Sequence, residues 1–136
     1  MQTMIFPAQF EFLDEIRRFV GELARKSGFS DKEIYSIQLA ADEAASNIIE
    51  HAYQDSSGGM LECSCGMEAG RLVISMHDDG KPFDISRVKE PNLKADLSDR
   101  QIGGLGIYLM RKLMDEVHYE SKPGRGNLLT MIKRKG

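Results

Sequence analysis

Apolar side chains at Phe12, Ile16, Phe19, Val20 and Leu23 recur at helical spacing through residues 8–26, and the Gly in "KSGF" ends the run. "SDKE" at 30–33 then has the form of a capping box, with Ser30 accepting from first-turn amides and Glu33 reaching back. A long second helix is therefore predicted from about Asp31 to Tyr53, until "DSSGG" breaks the chain. Within it, "DEAASNIIEH" (42–51) sets Glu43, Asn47 and His51 four positions apart on one face, with Ala44, Ala45, Ile48 and Ile49 largely on the other. That polar face is either solvated surface or the lining of a site.

"MLECSCGME" and "RLVISMHD" follow as short runs joined near Ala69-Gly70, the pattern of an antiparallel hairpin. From Asp78 to Gly106 the chain is rich in Gly, Pro, Asp and Lys without sustained periodicity, too long for an idle connection. "LGIYLMRKLMDEV" resumes a helical pattern, "VHYES" and "NLLTMIK" read as strands about the turn "KPGRG", and "QTMIFP" offers a first strand. This order implies an α+β fold: a two-layer sandwich whose mixed, mostly antiparallel sheet is covered on one face by helices. No repeat or linker interrupts it, and 136 residues is the size of a single domain, 1–136.

Composition narrows the function classes. Apolar content of 41% and charged content of 29% are those of a globular protein. The balance of 18 Lys and Arg against 21 Asp and Glu gives no electrostatic drive toward nucleic acid, the closing "KRKG" being only a basic tail. No run approaches a bilayer span and the start lacks the features of a signal peptide, so no membrane association and a cytoplasmic location are expected. Cys63 and Cys65 share one face of a predicted strand, too close along it for an ordinary disulfide, and read as buried thiols rather than zinc ligands.

Three stretches could carry chemistry. A carboxylate such as Glu43 could take a proton from a hydroxyl nucleophile, and the amide oxygen of Asn47 is a hard ligand suited to Mg²⁺. In "HDDGKPFD", Asp78 at a strand end could accept from an exocyclic amine, while Gly80 permits a turn or close backbone approach; a plain Asp-Gly turn reads the same way. "GGLG" (103–106) runs into a helix, where glycine lets amides approach phosphate oxygens, or serves as a hinge. It is no Walker motif, and it does not follow a strand as a dinucleotide fingerprint does.

Taken in order, "AADEAASNIIEHAY", "DDGKPFD", a long Gly-rich loop, "GGLG" opening a helix and a final strand with Thr resemble the Bergerat-fold (GHKL, histidine-kinase-like) ATPases, which include topoisomerases, chaperones and sensor histidine kinases. Within that superfamily the chain is most similar to the small bacterial anti-sigma factors that are also serine kinases. The resemblance implies Glu43 as catalytic base, Asn47 as ligand of a Mg²⁺ bridging the phosphates of ATP, Asp78 as reader of the adenine amine and Gly80 as a shaper of that pocket. It further implies a lid over the nucleotide at about 81–103, with Gly104 and Gly106 approaching the phosphates and Thr130 near the adenine. Arg100 is a separate candidate for a phosphate contact, since Arg supplies paired donors, and equally a surface residue. Pro82 stands where larger members carry a second glycine, which fits the anti-sigma branch and argues against a topoisomerase or chaperone. His51 is expected to pack or to face solvent.

Three readings follow. The first is a protein serine/threonine kinase that uses Mg-ATP, phosphorylates a STAS-domain anti-anti-sigma protein and binds a sigma factor. The second is a nucleotide-binding module working by partner exchange without phosphoryl transfer; an intact Glu43 weighs against it. The third is a detached histidine-kinase domain, although the histidines number only His51, His77 and His118, and no phosphoacceptor-bearing dimerisation helix is expected before the domain. The apolar face of the first helix would serve a homodimer or a sigma factor, or else belong to the core of a monomer.

Overall fold

The computed structural model describes residues 1–53, 58–82 and 104–135. Five strands form one sheet in the order β1-β2-β3-β5-β4. β1 (Gln2–Pro7) pairs with β2 (Met60–Glu68), β2 with β3 (Arg71–Asp78), β3 with β5 (Gly126–Arg134) and β5 with β4 (Glu116–Lys122), every pairing antiparallel. The β2–β3 turn falls at Ala69-Gly70, both with positive φ, as the sequence suggested. The expected mixed sheet is thus antiparallel throughout among the described residues.

Strand alternation decides which side is covered. Phe6, Leu61, Cys63, Cys65, Leu72, Ile74, Met76, Leu129 and Met131 face α1 (Leu13–Lys26), α2 (Asp31–Asn47) and α3 (Gly104–Leu113), and together with the helices they form the core. Asp78 continues the row Leu72, Ile74, Met76 on the same face, so the strand delivers a carboxylate to the edge of an apolar layer.

The helices form where the periodicity placed them. A single turn of 3-10 helix (Phe10–Phe12) leads into α1, whose Ile16 and Val20 are fully buried. Its apolar face is therefore committed to the chain's own core; the exposed large apolar side chains include Ile5 and Met60, on the opposite face of the sheet. Ser30 caps α2 as expected: its Oγ accepts from the Glu33 amide at 3.1 Å while Glu33 accepts from the Ser30 amide at 2.9 Å. Ala40, Ala41, Ala44 and Ala45 are all fully buried, and side chains this small let α2 lie close to its neighbours. The predicted helix to Tyr53 does not stay α-helical: Ile48–Ala52 form a π-helical turn, a widened geometry frequent at functional sites.

Cys63 and Cys65 are fully buried and free, and burial pushes both thiols up to about 12. Native protein at pH 8 is therefore expected to leave both unreacted with an aromatic disulfide reagent, with two equivalents released on unfolding in guanidinium; rapid labelling of the native state would contradict this packing.

Candidate functional site

Elements of both layers meet around one cleft, lined by Asn47 from α2, His51 from the π turn, Asp78 and Lys81 from the end of β3 and the turn beyond it, Ile107 from α3 and Tyr119 from β4. The two halves of its floor are stitched through the backbone. The Lys81 amide donates to the Ala52 carbonyl at 2.7 Å, and the Asp79 amide donates to the Tyr53 hydroxyl at 2.9 Å, which in turn donates to the Met60 carbonyl at 2.7 Å. Gly80 presses against the Ala52 carbonyl so closely that any β-carbon would collide with it. The glycine is required here by close approach, with no help from unusual φ.

Glu43 and Asn47 converge on Gly106. A β-carbon at Gly106 would lie 3.1 Å from Glu43 Oε2 and 3.2 Å from Asn47 Nδ2, so only a bare backbone leaves this corner open. Asn47 Nδ2 is buried with no hydrogen-bond partner among the described residues. Orphaned buried amides are uncommon, and one beside a carboxylate at the start of a helix suits a ligand that combines anionic oxygens with a hard cation. Glu43 is half-buried, and desolvation first, then the nearby charges of Asp42 and Glu50, raises its pKa. Asp42 itself is held by Arg17 at 2.9 Å, and Arg17 also grips Asp14 at 2.8 Å, tying α1 to α2 beside the site.

In the same cleft, Asp78 is 5% exposed. Its Oδ1 accepts from the Gly80 amide at 2.9 Å and from Asn127 Nδ2 at 2.8 Å, and the same Nδ2 donates to the Gly80 carbonyl at 2.9 Å. Ser121 Oγ donates to Asn127 Oδ1 at 2.7 Å. Asp78, Asn127 and Ser121 are directly paired across β3, β5 and β4, one rung of the sheet.

The residues singled out from sequence divide accordingly. Glu43, Asn47 and Gly106 come together, Gly104 opens α3, and Asp78 lines the same cleft as Asn47, with Gly80 in the turn that follows it. His51, expected to pack or face solvent, lines the cleft, its Nε2 3.6 Å from Glu50 Oε2. Arg100 and the proposed lid beyond Pro82 lie outside the described residues. Thr130 pairs with Ser75 and His118, three residues along β5 from Asn127, and this odd offset turns its side chain to the face of the sheet opposite Asp78. Asn127 stands beside Asp78 instead, and sequence reading missed it. Only its place at the first strand position after "GRG" hinted at a site role.

The sequence profile of the histidine kinase-like ATPase domain matches residues 6–133. The chain belongs to that family. This histidine kinase-like ATPase is 38% identical over 126 residues to a serine-protein kinase RsbW of Bacillus licheniformis, a match covering 87% of this chain and 76% of that protein. It is 34% identical over 134 residues to the protein of the same name from Halalkalibacterium halodurans, covering 96% and 80%. Among solved structures, the RsbU and RsbW domains from Mycobacterium tuberculosis superpose with a TM-score of 0.64 at 17% identity, covering 98% of this chain and 32% of that one. The catalytic domain of histidine kinase ThkA gives 0.59 at 16%, covering 99% and 98%. These two likenesses speak for the fold alone. No helix among the described residues is long and apolar enough to cross a membrane.

The raised pKa of Glu43 has a stability signature. Its folded value lies above the ordinary 4.5, so the ionised form is disfavoured in the native state. That penalty is absent below the unfolded pKa, grows as pH rises through the folded one and is complete above it. Glu43→Gln should accordingly raise Tm at pH 7–8, with the gain fading to nothing as the buffer is lowered toward pH 4. A gain that persists at pH 4 would assign the effect to something other than charge burial.

Proposed function

We propose that the chain is a protein serine/threonine kinase and anti-sigma factor that uses Mg-ATP, phosphorylates a STAS-domain anti-anti-sigma protein on serine or threonine, and binds a sigma factor. The observation that supports this most is the convergence of Glu43 and Asn47 on the bare backbone of Gly106, with the Asp78 carboxylate lining the same cleft as Asn47. The name serine-protein kinase carried by its relatives points the same way.

In this reading the nucleotide would be held with its base toward Asp78, whose carboxylate would accept from the exocyclic amine, and its phosphates toward Gly104 and Gly106 at the start of α3. Those first-turn amides have no partner within the helix and aim a positive dipole end at anionic oxygens. Asn47 is the residue that would hold Mg²⁺ through its amide oxygen, and the ion would offset charge on the transferring phosphoryl group. Glu43 accepts the proton of the incoming serine hydroxyl as the new P–O bond forms and the bond to ADP breaks. Desolvation suits Glu43 to this task, because a carboxylate with a raised pKa is a stronger base. Positioning and electrostatics supply the rest of the rate.

Incubation of the purified protein with γ-labelled Mg-ATP and a lysate of its source organism is the direct test. A small protein labelled on serine or threonine is expected with the wild type. With Glu43→Ala, transfer should fall by at least about 10²-fold, the usual worth of a positioned base, while ATP still raises Tm. Stabilisation of both proteins by ATP without any transfer would favour the partner-exchange module, and normal transfer by the variant would remove Glu43 from its role.

A further inference from the structure

Asn127 is 2% exposed, an unusual place for a primary amide unless every polar atom is engaged. Both partners of its Nδ2, the Asp78 carboxylate and the Gly80 carbonyl, are pure acceptors, and its Oδ1 faces the Ser121 hydroxyl. The amide can therefore sit only one way round, NH₂ toward the carboxylate. Its two hydrogens are used separately, one on Asp78 and one on Gly80, so a single side chain closes the Asp-x-Gly turn from the neighbouring strand. A hydroxyl there has one hydrogen and could hold only one of the two acceptors.

This arrangement settles what the carboxylate presents to the cleft. With Oδ1 saturated by the Gly80 amide and Asn127, Oδ2 is the atom without a hydrogen-bond partner among the described residues. We propose that Asn127, held in turn by Ser121, is a specificity-determining positioning residue: it locks Asp78 so that Oδ2 meets the cleft as a fixed acceptor, which selects a purine bearing a 6-amino group over one bearing a 6-oxo group. The proposal rests on the adenine reading of this cleft. A 6-oxo base brings an acceptor against an acceptor and leaves a buried carboxylate unpaired, a mismatch that sites built on hydrogen bonds reject strongly. Freed from Asn127, the carboxylate could turn, and the discrimination would relax.

The test is calorimetric binding of three Mg-nucleotides to the full chain: ATP, inosine triphosphate with its 6-oxo group, and purine riboside triphosphate with hydrogen at position 6. The variants are Asn127→Ala, Asn127→Ser and Ser121→Ala. For Asn127→Ala, affinity for ATP should fall about tenfold, the worth of one charge-assisted hydrogen bond, while the 6-unsubstituted analogue changes by less than about twofold and the ATP-to-inosine preference shrinks. Asn127→Ser, with one donor left, should recover part of the preference, and Ser121→Ala should show a smaller loss of the same kind. A parallel fall for all three nucleotides would show a merely structural role and overturn the proposal, as would an unchanged preference in every variant. Should Asn127→Ala fail to fold, the serine and Ser121 variants decide by the same ratios. Failure of the adenine reading itself would appear in the wild type, as no preference for ATP over the 6-unsubstituted analogue.

Discussion

A carboxylate that is almost entirely buried must have its hydrogen bonds supplied by the protein, and the cleft is organised around meeting that demand at Asp78. One donor comes from two residues ahead in the chain and one from a strand 49 residues away, so the turn and the sheet register are fixed by the same oxygen. A slip of one residue between β3 and β5 would turn Asn127 to the far face and leave the charge unpaired within an apolar layer. The Lys81 amide on the Ala52 carbonyl then fastens that turn to the end of the second helix, and the Tyr53 hydroxyl fastens it again.

The second helix carries two obligations at once. Its four consecutive-turn alanines fill the core with almost no side chain, which brings the helix backbone close to the sheet and α3, and its other face presents Glu43 and Asn47. The approach of α3 is limited at Gly106, where glycine leaves the polar corner open. Tight packing and an unfilled polar corner thus have one cause, the smallness of side chains at the contacts. Desolvation of Glu43 follows from the same closeness, and its raised pKa is a by-product of the packing.

Much of this was legible along the chain because it is local. The capping box at Ser30, the hairpin about Ala69-Gly70, the helical spacing of Glu43 and Asn47 and the Asp78-x-Gly80 turn depend on neighbours a few residues apart. The π turn at Ile48–Ala52 was not legible, since nothing in "IIEHA" distinguishes it from another α-helical turn; the contacts of Ala52 and Tyr53 with the turn after β3 are made across the fold. The face on which Thr130 falls was not legible for a related reason. Leu128 and Leu129 are adjacent and equally apolar, so alternation alone does not say which faces the helices, and the parity of β5 is settled only by its pairing with β3.

The sheet order has a consequence for biosynthesis. β5 is the latest of the described elements in the chain, yet it lies inside the sheet, between β3 and β4, and carries the amide that completes the shell of Asp78. A chain still emerging from the ribosome can form its first two helices and the β2–β3 hairpin, but it holds β3 with an open edge and a half-satisfied carboxylate until Gly126–Arg134 has cleared the exit tunnel. Completion of the hydrogen-bond shell around Asp78 is thereby deferred until the last of the described strands has been made.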